Sequence, residues 1–313
     1  MSEVGEPASC GRPRSTGREP GPAATGIPPL DPGIDPMTEH GPDTAPDPGT
    51  DPGPDAAAIV RALEGAGCVA AAEEAGELLA TARDAADLRQ KLERRLTGEP
   101  LAWVVGRAGF CGLDVAIEPG VYVPRWQSEP LALEAARLLP DTGLAVDLCT
   151  GSGAVAMVMA SARPEARVVG TELDPVASRC ARRNGVTTYE GWLDDPLPGE
   201  LASAVDVMTG VLPYVPRTAL HLLPRDVQRF EPRLALDGGE DGLDLVTVAV
   251  SRGPRWLRDG GWLLLEIGGD QVAGVTASMT KWGYVDVEAL VDGDGDPRGV
   301  RGRLDRSGGR LER

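Results

Sequence analysis

The chain has 313 residues, a formal charge of −17, 28 prolines, 41 glycines and only two histidines, His40 and His221. Such acidity argues against non-specific nucleic-acid binding, which needs Lys and Arg to neutralise phosphates. Two histidines so far apart leave no room for a histidine-based triad or a multi-histidine metal site. The five cysteines, Cys10, Cys68, Cys111, Cys149 and Cys180, are irregularly spaced and give neither a disulfide framework nor a zinc pattern. No apolar run approaches the length of a membrane span, and the N-terminal stretch lacks the apolar core of a secretory signal. The expectation is a cytoplasmic protein with reduced thiols and no membrane or nucleic-acid partner.

Residues 1–55 are Pro, Gly, Asp, Glu, Thr and Ala with almost no large apolar side chains, and they repeat Asp-Pro-Gly triplets at 31–33, 47–49 and 51–53. That composition cannot bury enough apolar surface to offset its ordering entropy, so a disordered tail is expected. Residues 56–97 are rich in Ala, Leu, Glu and Arg, and predict a small helical domain with helices over 56–66 and 70–96, punctuated by Gly65-Ala66-Gly67. Leu78, Leu79, Leu88, Leu92 and Leu96 read as one packing stripe. Residues 98–129 alternate β-prone runs with glycines, at Trp103-Val104-Val105-Gly106 and Val121-Tyr122-Val123-Pro124, and predict a β-hairpin linker.

From residue 130 the pattern becomes strand–helix units. Strands are expected at 145–148, 167–170, 187–189, 205–208, 262–267 and 285–290, with helices at 131–139, 154–162, 175–183 and 243–256. This alternation predicts an α/β core over 130–292, with a largely parallel sheet, helices on both faces and ligands at the carboxyl ends of the strands. Residues 293–313, dominated by Gly, Asp and Arg, read as a flexible tail.

One stretch of that core carries chemistry. The apolar run ending at Asp147 passes into Leu148-Cys149-Thr150-Gly151-Ser152-Gly153 and then at once into a helix. Glycines in such a turn let backbone approach a ligand that a Cβ would keep away. One βαβ unit later the next strand ends in Glu172, placed to accept hydrogen bonds from two ribose hydroxyls. The spacing suits a dinucleotide, but the turn is not G-x-G-x-x-G. It resembles instead the turn of class I S-adenosylmethionine-dependent methyltransferases, where the first acid and the glycine loop line the methionine part of the cofactor and the second acid holds the ribose.

Over residues 56–290 the chain resembles the HemK-type protein glutamine N5-methyltransferases. The resemblance is carried by Gly98-Glu99-Pro100-Leu101, Gly109-Phe110-Cys111-Gly112, Val121-Tyr122-Val123-Pro124-Arg125 and the 147–153 segment. Further along come Leu212-Pro213-Tyr214-Val215-Pro216 and the run from Glu231-Pro232-Arg233 through Gly238-Gly239-Glu240-Asp241-Gly242-Leu243. It implies a small helical domain, a hairpin linker and a Rossmann-like core. It also implies S-adenosylmethionine as cofactor, held by Asp147, Cys149, Thr150, Gly151, Gly153, Glu172, Leu173, Gly191 and Trp192. In the family an acid near the adenine follows the third strand. Here that place reads Gly191-Trp192, so either Trp192 stacks on the purine or packs in the core, or Gly191 takes the acid's position.

The family's N-P-P-Y loop offers an Asn side chain and a backbone carbonyl to the NH₂ of the target amide. The same place here reads Val211-Leu212-Pro213-Tyr214, and Val211 can accept no hydrogen bond. The catalytic candidates are accordingly Val211, Leu212 (through its carbonyl), Pro213 and Tyr214, with Glu231, Glu240 and Asp241 as carboxylates for a basic acceptor. A guanidinium suits carboxylates best, so the leading expectation is N-methylation of a small guanidino or amino metabolite such as free arginine. The alternatives are a protein glutamine, as in a release factor, and a cofactor-binding protein without catalysis.

Overall fold

The computed structural model describes residues 54–307, and every structural statement below concerns these. The expected acidic tail lies outside them except for its last two residues. Of these, Asp55 is the N-cap of the first helix, its Oδ1 accepting from the Ala58 N–H at 2.6 Å.

Helices α1 (Ala56–Gly65), α2 (Ala71–Thr81) and α3 (Ala85–Leu96) form the N-terminal helical part. The single helix expected over 70–96 is two, because Asp84 caps a fresh start by accepting from the Asp87 N–H. Ile59, Leu63, Leu78 and Leu88 meet in one buried cluster and Leu92 packs on its edge, whereas Leu79 and Leu96 are exposed, so the leucine stripe is narrower than expected. Trp103-Val104-Val105 is not a strand but helix α4 (Leu101–Val105), closed by Gly106 in the left-handed conformation. Val104 faces the helical cluster while Trp103 faces the main core, its Nε1 donating to the Val121 carbonyl. The hairpin is β1 (Arg107–Phe110) against β2 (Leu113–Ala116) alone, and residues 121–124 run on as irregular chain.

The core elements follow in order: α5 (Glu129–Leu138), β3 (Leu144–Leu148), α6 (Ala154–Ala162), β4 (Arg167–Glu172), α7 (Pro175–Arg183), β5 (Thr187–Glu190) and β6 (Val205–Gly210). After them come α8 (Arg225–Phe230), α9 (Asp244–Trp256), β7 (Leu257–Glu266), α10 (Val272–Lys281), β8 (Tyr284–Val291) and β9 (Pro297–Leu304). The seven-stranded sheet runs β5-β4-β3-β6-β7-β9-β8, with the first five strands parallel and β9 antiparallel to both β7 and β8. The expected C-terminal tail is thereby corrected. Residues 297–304 are an inserted strand whose Val300 and Leu304 are fully buried.

Successive strand residues point to opposite faces. Ala145, Val207 and Leu264 pack on α5 and α6, while Val146, Met208, Leu263 and Leu265 pack on α9 and α10. Strand order reverses at β3, so the carboxyl ends of β3 and β6 diverge there and open a crevice, as expected of such a sheet.

Candidate functional site

Asp147, at the tip of β3, is 2 % exposed and accepts from Thr150 Oγ1 at 2.6 Å and Thr209 Oγ1 at 2.7 Å. Burial pushes its carboxyl up to about 6 against the pull of the two hydroxyls. The turn that follows carries Cys149 and Gly151 at positive φ, then Gly153 as the residue before α6. A Cβ placed on Gly151 would meet nothing nearer than the Cys149 carbonyl at 4.0 Å, so open space lies above this backbone. The Cys149 thiol is pushed up by burial and by Glu172 and Asp147, which makes it no nucleophile.

Glu172, 8 % exposed at the tip of β4, accepts from the N–H groups of Gly151 and Asp174, each at 2.9 Å. The Leu173 N–H also pulls on this carboxyl, and of a carboxylate's roughly four lone-pair directions at least one remains for a hydroxyl. Leu173 beside it is exposed. The Gly191 N–H is tied to the Glu172 carbonyl. Trp192 is half-exposed rather than packed in the core, and the Arg252 guanidinium lies over its ring at 4.8 Å from the centroid. Arg252 is itself held by Asp194 and Asp195. Two buried carboxylates at neighbouring strand tips with an open glycine turn between them fit a ligand that carries an ammonium group and a ribose diol.

The loop after β6 holds Val211, half-buried against the α5–α6 face, Leu212 and Pro213, both buried, and Tyr214. The Tyr214 hydroxyl donates to Glu266 Oε1 at 2.9 Å. Its carbonyl accepts from Gln271 Nε2 at 3.1 Å. Glu266, at the tip of β7, is 2 % exposed, and burial raises its carboxyl above the usual range. Glu231 is 7 % exposed and paired with Arg125 Nη2 at 2.5 Å, and burial raises it too. Arg125 also lies 5.2 Å from the centre of the Tyr122 ring, whose hydroxyl burial pushes up to about 12.

Of the three acids expected to meet a basic acceptor, the fold brings in only Glu231. Glu240 is exposed in a turn, and Asp241 spends its carboxylate on the Leu243 N–H. Sequence reasoning missed Glu266, Ser128 and Gln271. Glu266 had a legible signal, an acid ending a predicted strand, the same mark that singled out Asp147 and Glu172. Among the described residues no group of His, Cys, Asp and Glu could hold a metal ion, and no helix is long and apolar enough to cross a membrane.

Strand order, the crevice and the acid–glycine–acid arrangement define a class I S-adenosylmethionine-dependent methyltransferase. No protein-family model matches the chain. It is 37 % identical to a release factor glutamine methyltransferase of Geobacter sulfurreducens, over 69 % of this chain and 77 % of that one. A release factor glutamine methyltransferase of Mycolicibacterium smegmatis is 39 % identical over 64 % and 73 % respectively. A 4-amino-L-phenylalanine/4-methylamino-L-phenylalanine methyltransferase of Streptomyces pristinaespiralis is 40 % identical over 59 % and 67 %. The chain belongs to the release factor glutamine methyltransferase family. It is an S-adenosylmethionine-dependent N-methyltransferase.

Proposed function

We propose that the enzyme methylates the side-chain amide of a glutamine in a protein acceptor of the release-factor kind. Asp147 and the turn to Gly153 receive the methionine part of the cofactor, Glu172 the ribose, and the Gly191–Trp192 corner the base. S-adenosylmethionine supplies an electrophilic methyl group, and the acceptor nitrogen gives its lone pair, leaving S-adenosylhomocysteine and a proton. An amide lone pair is delocalised and weakly nucleophilic, so the protein must contribute chiefly by holding the nitrogen in line.

The observation that carries this reading is the Val211–Tyr214 loop, which follows the strand beside Asp147, with Tyr214 tied to Glu266. There the Leu212 carbonyl remains to accept one N–H bond. A pocket of about 270 Å³ opens beside Tyr214, lined by Val215, Pro216, Ala219, Gly268, Asp270 and Gln271.

The second reading, an aromatic or other small amine as acceptor, is favoured by Val211, which offers no acceptor atom to an amide, and by the Streptomyces relative's name. Free arginine has less support than the sequence suggested, since Glu240 stands in solvent. Incubation with labelled S-adenosylmethionine and, in parallel, the release factors of the same organism, their Gln→Ala variants, 4-amino-phenylalanine and free arginine tests both readings. Label on a release factor that vanishes in its Gln→Ala variant is expected, and label on a small amine alone overturns the first reading.

A further inference from the structure

Five buried side-chain polar atoms among the described residues lack a hydrogen-bond partner: Gln127 Oε1, Ser128 Oγ, Thr171 Oγ1, Glu231 Oε2 and Glu266 Oε2. Native interiors tolerate few such atoms, because each forfeits its bonds to water without replacement. Four of the five belong to groups that converge on one place. Ser128 stands at the start of α5 close enough to pull the Glu266 carboxyl down, and Arg125 acts on both Glu266 and Glu231. Gln127 lies in the same turn, Trp126–Ser128.

Sheet register says what this place is for. Gly210 on β6 pairs with Leu265 on β7, and continuing that parallel register sets Val211 beside Glu266. Ala145, Val207 and Leu264 face α5 and α6. Two residues further along each strand, Asp147, Thr209 and Glu266 share that face. Asp147 and Thr209 stand level with Leu264, and Glu266 lies two residues further out on the same face, level with Val211 where the acceptor loop starts.

We propose that Glu266 receives the N–H groups of the methyl acceptor in place of the amide oxygen missing at position 211. Its Oε1 is committed to Tyr214, and its Oε2 makes no well-formed hydrogen bond and has only the Ser128 hydroxyl within reach, which an acceptor N–H would displace, so one carboxylate holds both the ring that flanks the target nitrogen and the nitrogen itself. The Ser128 hydroxyl at the start of α5 is the group that must turn away as the acceptor enters. The substrate class follows: an amide or amine bearing N–H bonds, and not a tertiary nitrogen. This inference rests on the N-methyl-transfer reading above but not on which acceptor that reading names.

The test is Glu266→Gln, which keeps an oxygen for the Tyr214 hydroxyl while putting N–H donors where the acceptor's own donors would arrive. Expected are a hundredfold fall in kcat/KM for the acceptor, S-adenosylhomocysteine affinity within twofold of the parent, and recovery of tenfold or more in Val211→Asn/Glu266→Gln. Calorimetric binding of N-acetylglutamine amide to the S-adenosylhomocysteine-loaded full chain gives a readout free of turnover, with at least tenfold weakening expected in Glu266→Gln. A kcat/KM within threefold of the parent, equal binding of that probe by both proteins, or a Tyr214→Phe variant that reproduces the whole loss overturns the role of Glu266. A parent enzyme that methylates an aromatic amine and no protein overturns the glutamine acceptor instead, and the same variants then report on Glu266 with that amine.

Discussion

The Tyr214 hydroxyl donates to Glu266 Oε1 across 2.9 Å, joining the loop after β6 to the tip of β7. Both groups are pushed up by burial, so each depends on the other for solvation that water does not provide. Tyr214→Phe removes the donor and leaves a buried carboxylate poorer by one bond. The expected cost is about 1–3 kcal/mol in urea unfolding. The loosened ring should also lower kcat/KM by roughly tenfold, equivalent to about 1.4 kcal/mol. Unchanged stability and turnover together would show that the bond anchors nothing.

Gly242 predicts a second way to disturb the same loop without touching it chemically. Its φ is +81°, and a Cβ there would lie 2.2 Å from the Tyr214 carbonyl oxygen and 2.6 Å from Gln271 Nε2. The glycine thus allows Gln271 to bridge the carbonyls of Tyr214 and Asp241. Gly242→Ala should push the loop away from the β7 tip and cost about 1–3 kcal/mol. S-adenosylhomocysteine binding, which we propose draws on the tips of β3 and β4, should survive by calorimetry while methyl transfer falls.

The acid–glycine–acid arrangement at the tips of β3 and β4 was legible because its signals are local. A strand-tip acid, a glycine turn and the next strand-tip acid lie within one βαβ unit, and Asp147, Gly151 and Glu172 fall where that logic puts them. The surroundings of Tyr214 were not, because its partners are set by strand order. Glu266 is 52 residues away and comes alongside only because β7 pairs with β6. The segment 297–304 misled for another reason. Its arginines suggested a solvated tail, but Arg298 pairs with Asp292, and Arg301 pairs with Glu134 and Glu288 while lying over Trp262. Such charges belong to a strand whose alternate residues, Val300 and Leu304, are core.

Asp147 predicts opposed effects on stability and binding. Its folded-state carboxyl is raised from 3.8 to about 6, so the folded state holds the proton more tightly than the unfolded one. The stability this contributes is full below about pH 4 and is lost as pH rises through 6. Asp147→Asn should therefore be as stable as the parent or more so at pH 8, by up to about 2 kcal/mol if the Thr150 and Thr209 hydroxyls re-pair with the amide. It should bind S-adenosylhomocysteine far more weakly. In the parent, affinity should fall as pH drops below about 6 and the ligand's ammonium loses its counter-charge. Calorimetric titration between pH 5 and 8 checks both, and a flat affinity profile in the parent refutes the pairing.

Truncation after Asp296 tests the inserted strand. Without Pro297–Leu304, β7 loses its antiparallel partner on one side and β8 is left with none. Burial of Val300 and Leu304 stabilises by about 1.5–3 kcal/mol each, and the severed ladder adds unpaired N–H and C=O groups at a newly exposed edge. Set against a typical total of roughly 5–15 kcal/mol, that loss is enough to unfold the core. The open β7 edge should also promote aggregation. The truncated chain should appear in the insoluble fraction, while Val300→Ala in the full chain should remain soluble and lose about 2 kcal/mol by denaturant titration. A soluble truncated protein with full cofactor affinity would mean that β3 to β7 hold the crevice open by themselves.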